Sequence, residues 1–386
     1  MMSTRFAYLD HAATTPLRPQ ARAAMAPFLN DGDGHGDAQS YGNPSGGHAM
    51  ARAARRAIDD AREVVAGVVG CDAGEVVFTS GGTEADNHAV LGAVRRHGGT
   101  AVCTSIEHHA VLHPVEHLGG VVVGVDEHGV VDLDALAAVL DASTRIVSVM
   151  AANNEVGTVQ PLMKVTRLVS KRAPLAWVHT DAVQGAPWMD LAAIAKHCHL
   201  ISITGHKLGG PKGTGALVVR KGVDLEPLLF GGGQERDRRS GTHNVAGIVG
   251  FAAALAASAS ERDETNERVG RLRDRLVDAL IATIDGVHET VPRAAKIPGS
   301  AHICIEGVES ESLLFLLERA GVCASAASSC ASGGMEPSHV LTAMGVAKEL
   351  SAGALRLSLG WASIDADVDT AIEVVPAAVA KLRRER

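Results

Sequence analysis

The sequence predicts an α/β protein: a large domain built on a mostly parallel mixed sheet, with a smaller α+β domain beside it. Two observations predict this. Between residues 76 and 220, short β-branched runs alternate with amphipathic or Ala-rich stretches, and the runs are apolar almost throughout, as in strands covered by helices on both faces. After about residue 256 the pattern changes to a charged helical stretch, a few short strands and more helices. The length, 386 residues, suits two domains at roughly 150 residues each.

In order, the expected strands are 76–79, 100–104, 121–125, 145–150, 176–179, 200–203 and 215–219, and the expected helices between them are 84–96, 110–118, 133–140, 162–171 and 191–196. A glycine-rich stretch, 230–241, leads into a long helical run from about 244; further helices are expected at 261–280, 310–319 and 365–383. The division read from this is 16–255 for the large domain, with 1–15 and 256–386 forming the small one. Residues 30–40, polar and almost without apolar side chains, read as a loop.

Composition narrows the function. The net charge is −8, with no basic stripe beyond the short tail after Lys381, so nucleic acid is not an expected direct partner. No apolar run approaches the ~18–20 residues needed to span a bilayer, and residues 1–10 lack a signal-peptide pattern; a soluble, cytoplasmic protein is expected. Six cysteines without a CxxC pair do not form a disulfide scaffold. The 42 glycines exceed the typical share of about 7% and call for specific turns.

Four segments carry chemistry. Lys207, in Thr204-Gly205-His206-Lys207, follows an apolar run; Pro211 breaks the P-loop pattern, and a desolvated lysine there suits Schiff-base chemistry, against a plain surface lysine in a glycine loop. Asp181 and Gln184 follow the run 176–179 at the sheet's carboxyl edge, where ligands bind in such folds. A buried Asp there needs a cation, such as a pyridinium nitrogen, unless it caps the next helix. Gly81-Gly82-Thr83 joins a strand to a helix and reads as a phosphate turn, or Thr83 as an N-cap. His108, in Glu107-His108-His109, offers a flat imidazole for stacking and proton exchange.

Together these segments resemble the fold-type I pyridoxal-phosphate (PLP) enzymes of the class V aminotransferase family, and among them the cysteine desulfurases of the NifS/IscS type. The likeness extends from Tyr8-Leu9-Asp10-His11-Ala12-Ala13-Thr14-Thr15-Pro16, through Tyr41-Gly42-Asn43-Pro44-Ser45, Asn153-Asn154-Glu155-Val156-Gly157, Gly231-Gly232-Gly233-Gln234-Glu235-Arg236, Arg239-Ser240-Gly241-Thr242 and Glu336-Pro337-Ser338-His339-Val340, to Leu355-Arg356-Leu357-Ser358-Leu359-Gly360.

The resemblance implies that Lys207 holds the cofactor covalently, that Asp181 pairs with its ring nitrogen and that His108 stacks on the ring. Gln184 and Asn154 take its 3-oxygen side, and Gly82, Thr83, Thr204 and His206 cradle its phosphate. It further implies that Thr242 reaches the phosphate of a neighbouring subunit in a homodimer, that Arg356 forks onto the substrate carboxylate and that Asn43 assists in substrate binding. Cys330, in a small polar loop at about 323–336, is the implied nucleophile, taking sulfur from L-cysteine as a persulfide while L-alanine is released; Lys207 or His108 moves the α-proton. Cys323 reads as structural.

The implied sulfur acceptor is an iron–sulfur scaffold protein or a thiolation enzyme acting on tRNA or DNA. The rival readings are a selenocysteine lyase, another class V enzyme, or a catalytically silent scaffold subunit. His109, His113 and His117 share a helical face, but without a partner carboxylate or thiolate they read as helix surface, and no metal is expected. Ala326-Ala327, Ser329 and Trp361 depart from the usual family residues, which bears on loop mobility and substrate entry.

Overall fold

The computed structural model describes residues 6–29, 41–326 and 338–384. Its strands are β1 (Ala7–Tyr8), β2 (Val76–Thr79), β3 (Thr100–Thr104), β4 (Val121–Val123), β5 (Thr144–Ser148), β6 (Trp177–Asp181), β7 (Leu200–Thr204), β8 (Gly215–Val219), β9 (Val287–Glu289), β10 (Ser300–Ile305), β11 (Val322–Cys323) and β12 (Ala354–Ser358). Seven of them form one sheet in the order β2-β8-β7-β6-β5-β3-β4, in which only β8 runs against its neighbours.

Burial on both faces explains the near-continuous apolar strands. Val76 and Phe78 of β2 face one core with Val102, Val147, Ile201 and Ile203, while Val77 faces the other with Ala101, Ile146 and Leu200. Successive side chains point to opposite faces, so a strand with helices on both sides must be apolar at every position.

The remaining strands build two smaller sheets. The antiparallel β12-β10-β9 packs with the helices Arg262–Thr283 and Asp365–Arg384 around Leu276, Ile303, Leu355 and Val375. The short β1 pairs in parallel with β11. The helix Val245–Ser260 runs past residue 256, and a bend of 72° separates it from Arg262–Thr283. Among the described residues no single helix is long and apolar enough to cross a membrane.

The expected strand 121–125 stops at Val123, where Gly124 intervenes, and the expected helix 84–96 begins two residues earlier, at Gly82.

Candidate active site

Strands β2, β3, β6 and β7 run in the same direction, so the loops after Thr79, Thr104, Asp181 and Thr204 gather at one edge. The four segments singled out in the sequence meet there because strand direction collects their ends.

Lys207 lies in the turn after β7. Its Nζ donates to the carbonyls of Ala12 and Ala13, the latter at 2.8 Å. Burial, aided by the Arg356 charge, holds its ammonium down to about 8, against the opposing pull of Asp10 and Asp181. Such an amine is partly deprotonated near neutral pH and is a competent nucleophile.

Asp181 ends β6 and is 5% exposed. Burial lifts its carboxyl to about 6, while the Val183 N–H, donating to Oδ1 at 2.8 Å, and the Lys207 charge pull it back down. Two further buried carboxyls stand near it, and both are themselves shifted toward the protonated form. Asp86 is raised by burial and then by Asp181, and lies 3.6 Å from His179 Nε2. Glu107, raised to about 8 by burial, accepts from Thr104 Oγ1 and the Met150 N–H. His179 is clasped by the hydroxyls of Ser148 and Ser202, and burial drives its pKa to about 3, so it offers these acids no positive charge.

His108 caps the helix His109–His117, its Nδ1 accepting the Ala110 N–H at 3.1 Å. Burial first, then the Lys207 charge, lowers its pKa. With Nδ1 occupied as an acceptor, the neutral ring carries its proton on Nε2.

The turn after β2 corrects one sequence alternative. The helix begins at Gly82 with Gly81 as its cap, so Thr83 lies inside the first turn instead of capping it. Gly81 brings no side chain to the first-turn amides, which remain suited to an anion. Ser80 N and Arg239 both bind Glu84, which offsets the carboxylate in that turn. At Gly82 a Cβ would come within 2.7 Å of Val183 Cγ2, so the backbone there approaches the loop after Asp181 as only glycine allows. Thr204 Oγ1 donates to the Thr214 carbonyl, and His206 Nδ1 contacts Thr14 Oγ1 at 3.2 Å. Burial holds His206 at about 4, hence neutral.

Arg356, on β12, is 5% exposed and reaches the site from the other part of the chain. It donates to the Asn154 carbonyl at 3.0 Å and to Asp10 Oδ1 at 2.8 Å, while its Nε has no partner among the described residues. Gln184 Oε1 is likewise buried without a partner.

Two expected residues lie apart in this single chain. Asn43 is exposed and accepts the Ser45 N–H within its own turn, beside a separate hollow lined by Pro44, Ser45, Arg62, Glu235 and His243. Thr242 is exposed. Cys330 lies outside the described residues. His109 stacks on His113 at 4.6 Å and meets His339 at 4.7 Å; among the described residues no group of three His, Cys, Asp or Glu side chains is arranged to hold a metal ion.

Sequence reading missed Asp10, Asp86 and Glu107 as members of the site. Asp10 and Glu107 sat inside quoted segments, whereas Asp86 follows the phosphate turn beside Glu84 and carries no such signal.

A class-V aminotransferase family profile matches residues 7–370. The protein "Cysteine desulfurase IscS" of Methanosarcina thermophila is 41% identical, over 97% of this chain and 92% of its own. A solved NifS-like protein superposes with a TM-score of 0.89 at 35% identity, covering 97% of this chain and all of that one. A structure titled "SspA in complex with cysteine" matches with a TM-score of 0.77 at 28% identity, over 92% of this chain and 99% of that one. The chain belongs to the class-V aminotransferase family. Within it, relatives at about 40% identity over nearly the whole chain are named cysteine desulfurases, among them those of Methanosarcina thermophila and Dictyoglomus turgidum.

Proposed function

We propose that this chain is a pyridoxal-phosphate-dependent cysteine desulfurase that converts L-cysteine to L-alanine and passes the sulfur on through Cys330. The observation that carries the reading is Lys207, an amine depressed to about 8 at the carboxyl edge of the sheet, between the buried acid Asp181 and the buried base Arg356. The full-length likeness to cysteine desulfurases supports it.

The residues fit the cofactor. Asp181 is a buried carboxylate with no cation of its own among the described side chains except the nearby Lys207 charge, and a protonated ring nitrogen would supply one. The first turn at Gly82-Thr83, entered through Gly81 with no side chain, would receive the phosphate together with Thr204 and His206; Gln184 and Asn154 would face the ring oxygen, and His108 would cover the ring. When bound, pyridoxal phosphate supplies an electron sink for the carbanion at the substrate's α-carbon.

The chain's own groups then have distinct tasks. Arg356 holds the substrate carboxylate as a fork, exchanging its present contact with Asp10 for the incoming anion. The unprotonated Lys207 amine takes the α-proton; His108, with its proton on Nε2, is placed to donate one. The Cys330 thiolate attacks the substrate sulfur: an S–S bond forms, the substrate C–S bond breaks, and the three-carbon fragment is protonated to alanine. A homodimer in which Thr242 completes the phosphate site of its neighbour, a large lobe of 16–255 with a small lobe of 1–15 and 256–386, and delivery to an iron–sulfur scaffold or a thiolation enzyme complete the proposal.

The test is reconstitution with pyridoxal phosphate, then measurement of the visible absorbance of the bound cofactor and of alanine and sulfide released from L-cysteine with dithiothreitol. Lys207→Ala should lose the covalent band and turnover. Cys330→Ser should keep the band and lose sulfide; full sulfide release by Cys330→Ser would overturn the persulfide step.

A further inference from the structure

Next to Lys207, on the side of the N-terminal segment, lies a small cavity whose walls include His11, Gln184, Trp188, Trp361 and Arg18. Four buried polar atoms of these lining residues have no hydrogen-bond partner among the described residues: His11 Nδ1, Gln184 Oε1, Trp188 Nε1 and Trp361 Nε1. His11, Gln184 and Trp188 are 5%, 9% and 7% exposed, so bulk solvent does not satisfy them. Leaving such groups unpaired is costly, because each has lost its water without gaining a partner.

The chemistry of the four atoms selects the occupant. Indole N–H groups only donate, so Trp188 and Trp361 demand an acceptor. Gln184 Oε1 only accepts. Burial lowers His11 to about 4, so its ring is neutral, and in the tautomer with the proton on Nε2 its Nδ1 accepts. Two donors and two acceptors are the complement of water, which accepts two hydrogen bonds and donates two. A halide or carboxylate would satisfy the indoles but would face Gln184 Oε1 with like charge. Arg18 does not tip the balance toward an anion, because its guanidinium is already held by Glu261 Oε2 at 2.5 Å and the Leu208 carbonyl at 2.9 Å, and it lies over the Trp361 ring at 4.7 Å.

We propose that this cavity is an ordered-water site, and that its water, held by Trp188, Trp361 and His11, positions the Gln184 amide. By donating to Oε1 the water turns that oxygen toward the cavity, which directs the Gln184 NH₂ away from it, toward the place expected for the ring oxygen of the cofactor. Trp361 and His11 thus act as positioning residues through Gln184. The orientation of Gln184 matters only on the cofactor assignment made above; the water site itself does not depend on it.

A crystal structure of the holoenzyme at a resolution that places solvent tests the site. A peak within hydrogen-bond distance of at least three of the four atoms is expected; a dry cavity, or a peak replaced by bromide and seen by its anomalous signal, overturns the proposal. Trp361→Phe, with Trp188→Phe as the second variant should the first fail to fold, removes one donor. The expected result is loss of the peak and an upward shift in the pH midpoint of the visible band, because the amide no longer donates reliably to the ring oxygen. An unchanged peak and midpoint in a folded variant also overturns it. If the wild-type protein bound no cofactor at all, the proposed function would fail while the peak could still be read in crystals of the protein as purified.

Discussion

Two buried charged clusters in this molecule differ in a way that separates structural charge from chemical charge. At the first, Arg62 Nη2 meets Glu235 Oε1 at 2.6 Å and Nη1 meets Oε2 at 2.7 Å, and the same carboxylate accepts from the Phe78 N–H and His243 Nε2. Burial alone would raise Glu235, but the hydrogen bonds of Arg62 and His243 outweigh it and hold the acid at about 2. At the second, around Asp181, Asp86, Glu107 and Lys207, the groups are buried without direct ion pairs, and each is displaced toward its neutral form. A paired buried charge fixes the chain; an unpaired one keeps a site that gains by binding something. Beside the first cluster Glu235, Arg236 and Asp237 run at positive φ (51°, 59° and 63°), a left-handed turn that such residues rarely adopt.

The comparison can be broken from either side. The largest effect is expected from Lys207→Ala, which should reduce turnover of L-cysteine by about 10³-fold or more, in line with the loss of a nucleophile that is also a base; steady-state alanine release measures it, and circular dichroism should show the fold intact. Next, Arg62→Ala should cost about 3–5 kcal/mol of stability by leaving Glu235 buried and unpaired, read as a lowered urea midpoint. A loss below 1 kcal/mol would mean the pair does not fix the chain.

Asp181→Asn should act in the opposite sense on the cofactor-free protein. Removing a buried acid whose folded pKa is raised should stabilise it at pH 7 by on the order of 1–3 kcal/mol while weakening cofactor retention and turnover. Equilibrium unfolding and dialysis of the bound cofactor report the two halves separately.

The pH dependence sharpens the contrast. The folded pKa of Glu235 lies below its unfolded value, so its contribution is present above about pH 4.5 and is lost as pH falls toward 2. The folded pKa of Asp181 lies above its unfolded value, so its contribution is present below about pH 3.8 and is lost as pH rises through 6. Glu235→Gln should therefore flatten the acid limb of the stability curve, and Asp181→Asn the limb between about pH 4 and 6. The smallest effect is expected from Gly82→Ala, where the new Cβ meets Val183 Cγ2 at 2.7 Å and should weaken cofactor binding several-fold with little loss of fold.

Much of this arrangement was legible in the sequence because it is local. Strands covered on both faces leave continuous apolar runs, and each chemical segment follows one. The beginning of the helix at Gly82 was not legible, since Thr83 carries a better capping side chain; backbone geometry at Gly81, with φ near 154°, decided it. The contact of Arg356 with Asp10 was not legible either, because 346 residues separate them and no periodicity spans that distance. Asp86 lies on a helix whose acids otherwise read as solvent-facing, and only packing against His179 and Asp181 reveals it.

The N-terminal segment that closes over Lys207 carries a consequence for synthesis. Ala12 and Ala13 hold the lysine amine, β1 pairs with β11, and Asp10 meets Arg356 near the other end of the chain. The segment around Asp10 therefore makes these contacts only once the segment around Arg356, 346 residues further on, has been synthesised. Until Arg356 is in place, Lys207 lacks the one charge that helps burial to depress it, and its amine is more basic and less reactive. Reactivity toward aldehydes is thereby tied to the docking of β12 beside the N-terminal segment.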